Sequence, residues 1–292
     1  MDHQTLITRA EDLATRAQIR DGMVETGVAG LGISRRPTRT QMESMLYDPL
    51  VCLVLQGAKE TGTHSHAVHV GAGQLLIVSH DIPIVSRVID ADPAKPYIAL
   101  VLPLDLDMLR GLATETGDQP VDTAPDALQT QPATPEIADA FMRLLALAND
   151  PAEARVLAPL ILKEIHYRLL RARGGGVLRA LLWQGSHASR IARAIAHIRA
   201  HADESLPTQH LAGIAGMSAS TFHAHFKAVT STTPLQFQKD LRLLNARDRL
   251  QGGADSVSTV AFDVGYESPT QFSRDYSRKF GAPPRADLKK AS

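Results

Sequence analysis

Leu211-Ala212-x3-Gly216-Met217-Ser218-x3-Phe222-x3-Phe226 is followed, about fifty positions on, by Val260-Ala261-x3-Gly265-Tyr266-Glu267-Ser268-x3-Phe272-x3-Tyr276. Apart from the extra Glu267, the two frames match. Each frame is what two short helices joined by a sharp turn require. A small residue lets the helices cross closely, and a glycine can take the left-handed conformation that ends a helix. A serine then caps the next helix, whose aromatics one turn apart share its inner face. A doubled helix-turn-helix within one domain points to DNA.

The chain reads as helical outward from this repeat, starting near residue 188. Ile191, Ile195 and Ile198 put one apolar face on a first helix. Thr208 is the expected cap of a second helix running to about Ala215. Ser218 caps the third, with Phe222, Phe226 and Val229 inside and Ser220, His223, Ala224 and Lys227 outside. Pro234 opens a long connector to about Leu250, and Gly252-Gly253 closes it. Its seventeen residues span roughly 26 Å. That is near the ~34 Å between successive major grooves on one face of a duplex. Phe237, Leu241 and Leu244 are expected to pack both units onto this rod.

In the second unit Ser256 or Ser258 caps a helix through Val264. Ser268-Pro269-Thr270-Gln271 then combines an N-cap serine, a proline at the first helical position and a glutamine at the capping-box position. Phe272 and Tyr276 face inward, and Thr270, Gln271 and Arg274 face outward. Glutamine can bond adenine edges bidentately, and arginine can bond guanine or phosphate.

A chain of 292 residues can hold one large domain or two ordinary ones. At 44% hydrophobic and 21% charged, it has the composition of a soluble globular protein. It holds no run of eighteen apolar residues, so no transmembrane helix is expected. Met1-Asp2-His3-Gln4 is not a basic region followed by an apolar one, which predicts no secretory signal. The single cysteine, Cys52, cannot form an internal disulfide, as suits a reducing cytoplasm. The net charge of zero hides an asymmetry. Residues 187–292 carry fourteen Lys and Arg against nine Asp and Glu, and the remainder seventeen against twenty-two. A basic C-terminal third favours phosphate contact.

The N-terminal part differs in character. Residues 5–20 read as a short helix. From about 30 to 104, apolar β-rich runs such as Leu50-Val51-Cys52-Leu53-Val54-Leu55 and Tyr97-Ile98-Ala99-Leu100-Val101-Leu102 alternate with Gly, Pro and Asp. Many short strands at close spacing predict an antiparallel sandwich or barrel. Helices are expected at 105–115, 136–148 and 152–173, with a proline-rich loop over 118–135. In the third, Leu157, Ile161 and Ile165 form an apolar row that serves either a dimer contact or packing on the β-module. Gly174-Gly175-Gly176 is the expected start of a linker, followed by a short helix from Val177 to Trp183. The expected division is a module over 1–175 and a second over 187–288, with helix-turn-helix units at about 208–229 and 256–279.

Ile214-Ala215-Gly216-Met217-Ser218-Ala219-Ser220-Thr221-Phe222-His223 and Asp263-Val264-Gly265-Tyr266-Glu267-Ser268-Pro269-Thr270-Gln271-Phe272-Ser273-Arg274 resemble the two helix-turn-helix cores of the AraC/XylS family of bacterial transcription regulators. Lys279-Phe280-Gly281-Ala282-Pro283-Pro284 resembles that family's closing segment. The resemblance covers about one hundred residues. It implies base-facing positions at Ser220, His223 and Ala224. Ser220 and Ala224 are short, which shifts the reading toward His223, Lys227 and the second helix. Pro49 through Lys59 and Pro96-Tyr97-Ile98-Ala99-Leu100 resemble the cupin-like N-terminal domain of one AraC-type branch. The implied fold is α+β with two domains. A cupin-like β-barrel or jelly roll with flanking helices comes first, and an all-α double helix-turn-helix second.

The expected function is sequence-specific DNA binding through Ser220, His223, Ala224, Lys227, Thr270, Gln271 and Arg274. A small-molecule effector in the N-terminal module would control it. The expected partners are double-stranded promoter DNA, a second copy of the chain and, as a candidate, RNA polymerase. No membrane partner, cofactor or catalytic residue is expected. Cys52 reads either as a sensor thiol or as a buried strand residue behaving as a small hydrophobe. His64, His66 and His69, with His80 and Asp81 further on, raise a metal-dependent cupin enzyme as an alternative. Val70 stands where metal cupins carry a glutamate, which favours solvated or hydrogen-bonded histidines. A constitutive DNA-binding dimer is the other alternative. Activation and repression both stay open.

Overall fold

A computed structural model describes residues 3–28, 30–63, 66–117, 126–183, 185–253 and 256–288. Ten strands occupy the described N-terminal part: β1 (Gly22–Glu25), β2 (Gly32–Arg36), β3 (Glu43–Tyr47), β4 (Leu50–Gln56), β5 (Ala58–Gly62), β6 (Ala67–Gly71), β7 (Gln74–Val78), β8 (Ile82–Asp90), β9 (Tyr97–Pro103) and β10 (Leu128–Pro132). They form a six-stranded sheet ordered β1-β2-β9-β4-β7-β10 and a four-stranded sheet ordered β3-β8-β5-β6. All the pairings are antiparallel. The expectation of a jelly-roll-like double sheet holds, whereas a closed barrel does not form. Short strands β1 and β10 finish the large sheet at its two ends, and helices cover its outer face.

Those helices explain why the apolar runs do not alternate with polar residues. The large sheet is the middle of three layers. Val51, Leu53 and Leu55 of β4 face a core shared with α1 (His3–Arg16), α2 (Leu106–Thr116), α3 (Pro135–Ala146), α4 (Pro151–Arg171) and α5 (Gly176–Leu182). Cys52 and Val54 face the small sheet. Strands β7 and β9 divide in the same way. Strands buried on both faces read as continuous hydrophobic runs.

Helix ends follow local signals. Gln18 at φ 58 lies just beyond α1, which ends earlier than the periodicity implies. The Asp105 carboxylate accepts from the Asp107 and Met108 amides, and Asp150 caps α4 likewise. Within the expected loop over 118–135, residues 118–125 lie outside the described residues. Leu128–Pro132 is instead strand β10, paired with β7. Gln129, Thr130 and Gln131 hide it, because an edge strand needs few apolar residues, and its proline lies at the strand end. The expected linker glycines are packed structure. A short 3₁₀ turn over Arg173–Gly175 leads into α5, and Gly175 is buried against the Leu169 and Leu170 carbonyls.

The apolar row expected on α4 packs inward, with Leu157 partly buried against the N-terminal core. Ala158, Ile161, Ile165 and Leu169 are buried in the N-terminal core. Val156 and Leu160 stand 67% and 64% exposed, and Tyr167 is exposed beside them.

The C-terminal part holds α6 (His187–Ala200), α7 (Thr208–Ala215), α8 (Ala219–Thr230), α9 (Pro234–Gln251), α10 (Val257–Asp263), α11 (Pro269–Phe280) and α12 (Pro284–Leu288). Thr208 does not cap α7. The Pro207 carbonyl already accepts from Leu211, so Pro207 is the cap position and Thr208 the first helical residue. Rod α9 has eighteen residues, about 27 Å. Phe237 and Leu241 join the core of the first unit, while Leu243, Ala246 and Leu250 join that of the second.

The two halves are in contact. Ile191, Phe226 and Phe237 belong to the same apolar cluster as Cys52, Ile84 and Tyr97. The Ala127 amide donates to the Val229 carbonyl at 3.0 Å, and the Ser231 hydroxyl to Asp126 at 3.2 Å. Arg199 of α6 pairs with Asp48 at 2.5 Å and also with Asp81. The rod α9 lies against β3 and β8.

Candidate nucleic-acid interface and effector core

The first reading helix is α8. Gly216 takes φ 63 and ends α7, and the Ser218 hydroxyl then accepts from the Thr221 amide. Phe222 and Phe226 are fully buried, with ring centroids 5.4 Å apart. Burying these rings turns Ser220, His223, Ala224 and Lys227 outward together, and all four are exposed. No ion-pair partner holds Lys227 among the described residues.

Helix α11 repeats the arrangement. Gly265 takes φ 85, and Ser268 accepts from the Gln271 amide. Phe272 and Tyr276 occupy the places of Phe222 and Phe226 and are fully buried. Thr270, Gln271 and Arg274 are exposed, and Arg274 has no carboxylate partner among the described residues. The expected capping box is only half formed. Gln271 sends its side chain forward to Asp275 Oδ2 at 3.1 Å instead of back to Ser268.

Asp275 is the buried hub of this unit. It also receives Lys239 Nζ at 2.6 Å, Arg278 at 2.6 Å and the Tyr266 hydroxyl at 3.4 Å. Burial alone would raise its carboxyl pKa, but Lys239, Gln271 and Arg278 outweigh burial and hold it below the ordinary range. A second hub sets the orientation between units. Arg242 of α9 donates to the Ala202 carbonyl at 2.6 Å, to Glu204 at 2.7 Å and to Gly265 at 2.7 Å. It thus ties the loop after α6 to the turn of the second unit. Ser273, Ser277 and Arg285 line one open groove together with Thr270 and Arg274. Sequence reasoning missed Arg242, Asp275 and Arg285. A Lys/Arg count per helix would have drawn attention to the first and third.

In the N-terminal module Cys52 is 1% exposed. Its Sγ lies 3.6 Å from Lys59 Nζ and 4.0 Å from the Tyr97 hydroxyl. Lys59 Nζ is also 3.4 Å from the Tyr47 hydroxyl. Cys52 and Tyr97 come from the large sheet and Tyr47 and Lys59 from the small one, so the four groups meet between the layers. Burial pushes the Lys59 ammonium down, but Cys52, Tyr47 and Tyr97 outweigh it and leave its pKa well above the ordinary lysine value.

The histidines raised as metal ligands go elsewhere. His64 lies outside the described residues, while His66 and His69 are exposed. His80 is buried between the two halves, with Nε2 3.2 Å from the Ala188 carbonyl and Nδ1 2.8 Å from the Ser79 hydroxyl. Among the described residues no three His, Cys, Asp or Glu groups come together as a metal site.

Comparison with known proteins accords with this arrangement. The family model described as AraC-type transcriptional regulator N-terminus matches residues 27–177, and a helix-turn-helix domain model matches residues 211–290. The transcriptional activator RhaS of Escherichia fergusonii is 33% identical over 97 residues, covering 33% of this chain and 35% of RhaS. The regulator CdhR of Pseudomonas aeruginosa is 30% identical over 155 residues, 51% of this chain and 44% of CdhR. These matches span less than half the length of either relative. An apo form of a ToxT variant from Vibrio cholerae superposes with a TM-score of 0.58 over 94% of this chain and 100% of its own, at 7% identity, a likeness of fold alone.

Proposed function

Because the chain belongs to the AraC-type transcriptional regulators, we propose that it binds promoter DNA sequence-specifically through α8 and α11, under the control of a small molecule held in the N-terminal module. The division is that of the sequence: a sensing and dimerising module over 1–175 and a DNA-binding module over 187–288. One observation carries the reading. Two helices, each capped by serine and anchored by two buried aromatics, keep their outer faces exposed and are fixed to one rod. Ser220, His223, Ala224 and Lys227 form the first reading face, and Thr270, Gln271 and Arg274 the second.

Contact between the halves gives the control a path. A ligand acts only through a difference in affinity between two states. The Ala127–Val229 and Asp126–Ser231 hydrogen bonds hold the end of α8 to the segment that begins β10. A shift of the sheets would therefore reach the first reading helix. A ToxT structure with an unsaturated fatty acid bound supports a small-molecule effector in this fold. The exposed row Val156, Leu160 and Tyr167 on α4 supports a homodimer. An antiparallel pair of α4 helices would set acidic Glu153 beside basic Arg171. The setting is cytoplasmic, and operator position relative to RNA polymerase decides between activation and repression.

The test is selection of duplexes from a random library by the full-length chain, followed by gel-shift titration at fixed salt. Enrichment of two half-sites about one helical turn apart is expected. Equal affinity for all duplexes would defeat the proposal.

A further inference from the structure

The inner face of β5 is polar, and the buried Ser86 of β8 is paired opposite its Thr61. Lys59 and Thr61 alternate along it, Thr63 follows just past its end, and all three are buried. Lys59 is 6% exposed, yet no carboxylate lies within 4.0 Å of it among the described residues. Its partners among the described residues include the Tyr47 hydroxyl at 3.4 Å, the Cys52 thiol at 3.6 Å and the Tyr47 ring at 5.5 Å. A buried charge is expensive unless paired, so buried lysines are rarely left without a counter-ion. Just past the strand, Thr63 Oγ1 is buried and has no hydrogen-bond partner among the described residues. Thr63 stands about 13 Å from Lys59 at the strand rise. Among the described residues, the buried Lys59 ammonium thus has no carboxylate partner and the buried Thr63 hydroxyl no hydrogen-bond partner.

We propose that the β5 face is a binding site for a small organic acid, whose carboxylate pairs with Lys59 and the Tyr47 hydroxyl. The body of the acid lies among Val54, Val70, Ile84, Val88 and Tyr97, and Thr61 and Thr63 give its far end polar contacts. The assignment rests on the effector reading above and names the effector's chemical class. Tyr47 ends β3, which lies against α9 and α11, so a ligand that draws Tyr47 toward Lys59 acts on a strand the DNA-binding module touches.

Thermal unfolding of the full-length chain tests the site. The probes are straight-chain monocarboxylates from acetate to decanoate, together with benzoate, each beside its primary amide. At least one acid is expected to raise Tm while its amide does not. Lys59→Met should respond at least tenfold more weakly. Cys52→Ser should keep the response, which separates carboxylate pairing from thiol chemistry. The proposal is overturned if no acid stabilises the wild type, if acid and amide act alike, or if Lys59→Met responds like the wild type. A neutral metabolite that stabilises wild type and Lys59→Met equally would overturn this site while leaving the effector reading intact.

Discussion

The Gln271 side-chain nitrogen lies 3.1 Å from Asp275 Oδ2, one helical turn on, and Asp275 is buried beneath it. A side chain expected to read a base edge is thus held by a carboxylate that is itself paired with Lys239 and Arg278. Removing the carboxylate leaves the partly buried Lys239 without its ion-pair partner and lets Gln271 swing. Losing charge-assisted hydrogen bonds of this kind costs about 1.5–3 kcal/mol. Asp275→Ala should therefore lose stability on that order in urea unfolding. Asp275→Asn, which keeps the shape and one acceptor, should lose clearly less.

Arg274 and Lys227 are both exposed cations without carboxylate partners among the described residues. Their expected roles differ. Arg274→Ala should weaken binding to the selected operator by about 1–3 kcal/mol and relax specificity at one position. Lys227→Ala, if it meets phosphate, should weaken all duplexes alike and reduce the salt slope by about 1. Gel-shift titrations across several salt concentrations separate the two patterns. An unchanged affinity for Arg274→Ala would remove it from the reading face.

The reading helices were legible because their signals are local. Gly216, Ser218, Gly265 and Ser268 act within a few residues, and Phe222, Phe226, Phe272 and Tyr276 follow the helical period. The double sheet was legible from its punctuated apolar runs, but its third layer was not, since β4 looks alike whether its second face meets a helix or a sheet. The polar hubs were hidden for a different reason. Lys59 and Cys52 are seven residues apart on different sheets, and Arg242 grips carbonyls whose positions no side chain betrays. Long-range pairing of this kind leaves no periodic trace. Thr208 shows the limit even of local signals, because a preceding proline took the cap position.

His80 predicts a pH response of the contact between the two halves. Burial pushes its pKa down to about 4, and its bond to Ala188 only partly offsets this. The folded chain keeps the ring neutral, while the unfolded chain binds a proton below about pH 6.5. Stability is thus complete above that pH and falls as pH drops toward 4. The loss is about 2 kcal/mol between pH 6.5 and 5. Asp275, with its lowered pKa, adds its own loss only at still lower pH. Urea unfolding of His80→Gln should show a flatter profile between pH 7 and 5 than the wild type. Parallel profiles would rule His80 out as the cause.

The exposed apolar row of α4 makes oligomeric state a direct readout. Leu160 is 64% exposed on the face turned away from the core, so a charge there costs the monomer little. Leu160→Glu should therefore change unfolding stability by no more than about 0.5 kcal/mol while shifting sedimentation from dimer to monomer. A wild-type chain that sediments as a monomer at micromolar concentration would remove α4 as the dimer face.

The two turn glycines should not tolerate substitution equally. Gly216 at φ 63 has open space where a Cβ would point, whereas at Gly265, φ 85, the Cβ would strike the Asp203 backbone. A left-handed backbone costs an L-residue about 1–2 kcal/mol, and that is all Gly216→Ala should lose. Gly265→Ala adds a backbone clash of about 1–3 kcal/mol that no side chain can relieve. The loop it strikes is also the one Arg242 ties to the Gly265 carbonyl. The clash therefore loosens the fastening between the two reading heads. Gly265→Ala should unfold at lower urea than Gly216→Ala and should bind a two-half-site operator far more weakly than the wild type. Its affinity for a duplex carrying only the first half-site should change little. Equal losses in the two variants would show that the Asp203 loop yields, and that Arg242 does not set the spacing of the heads.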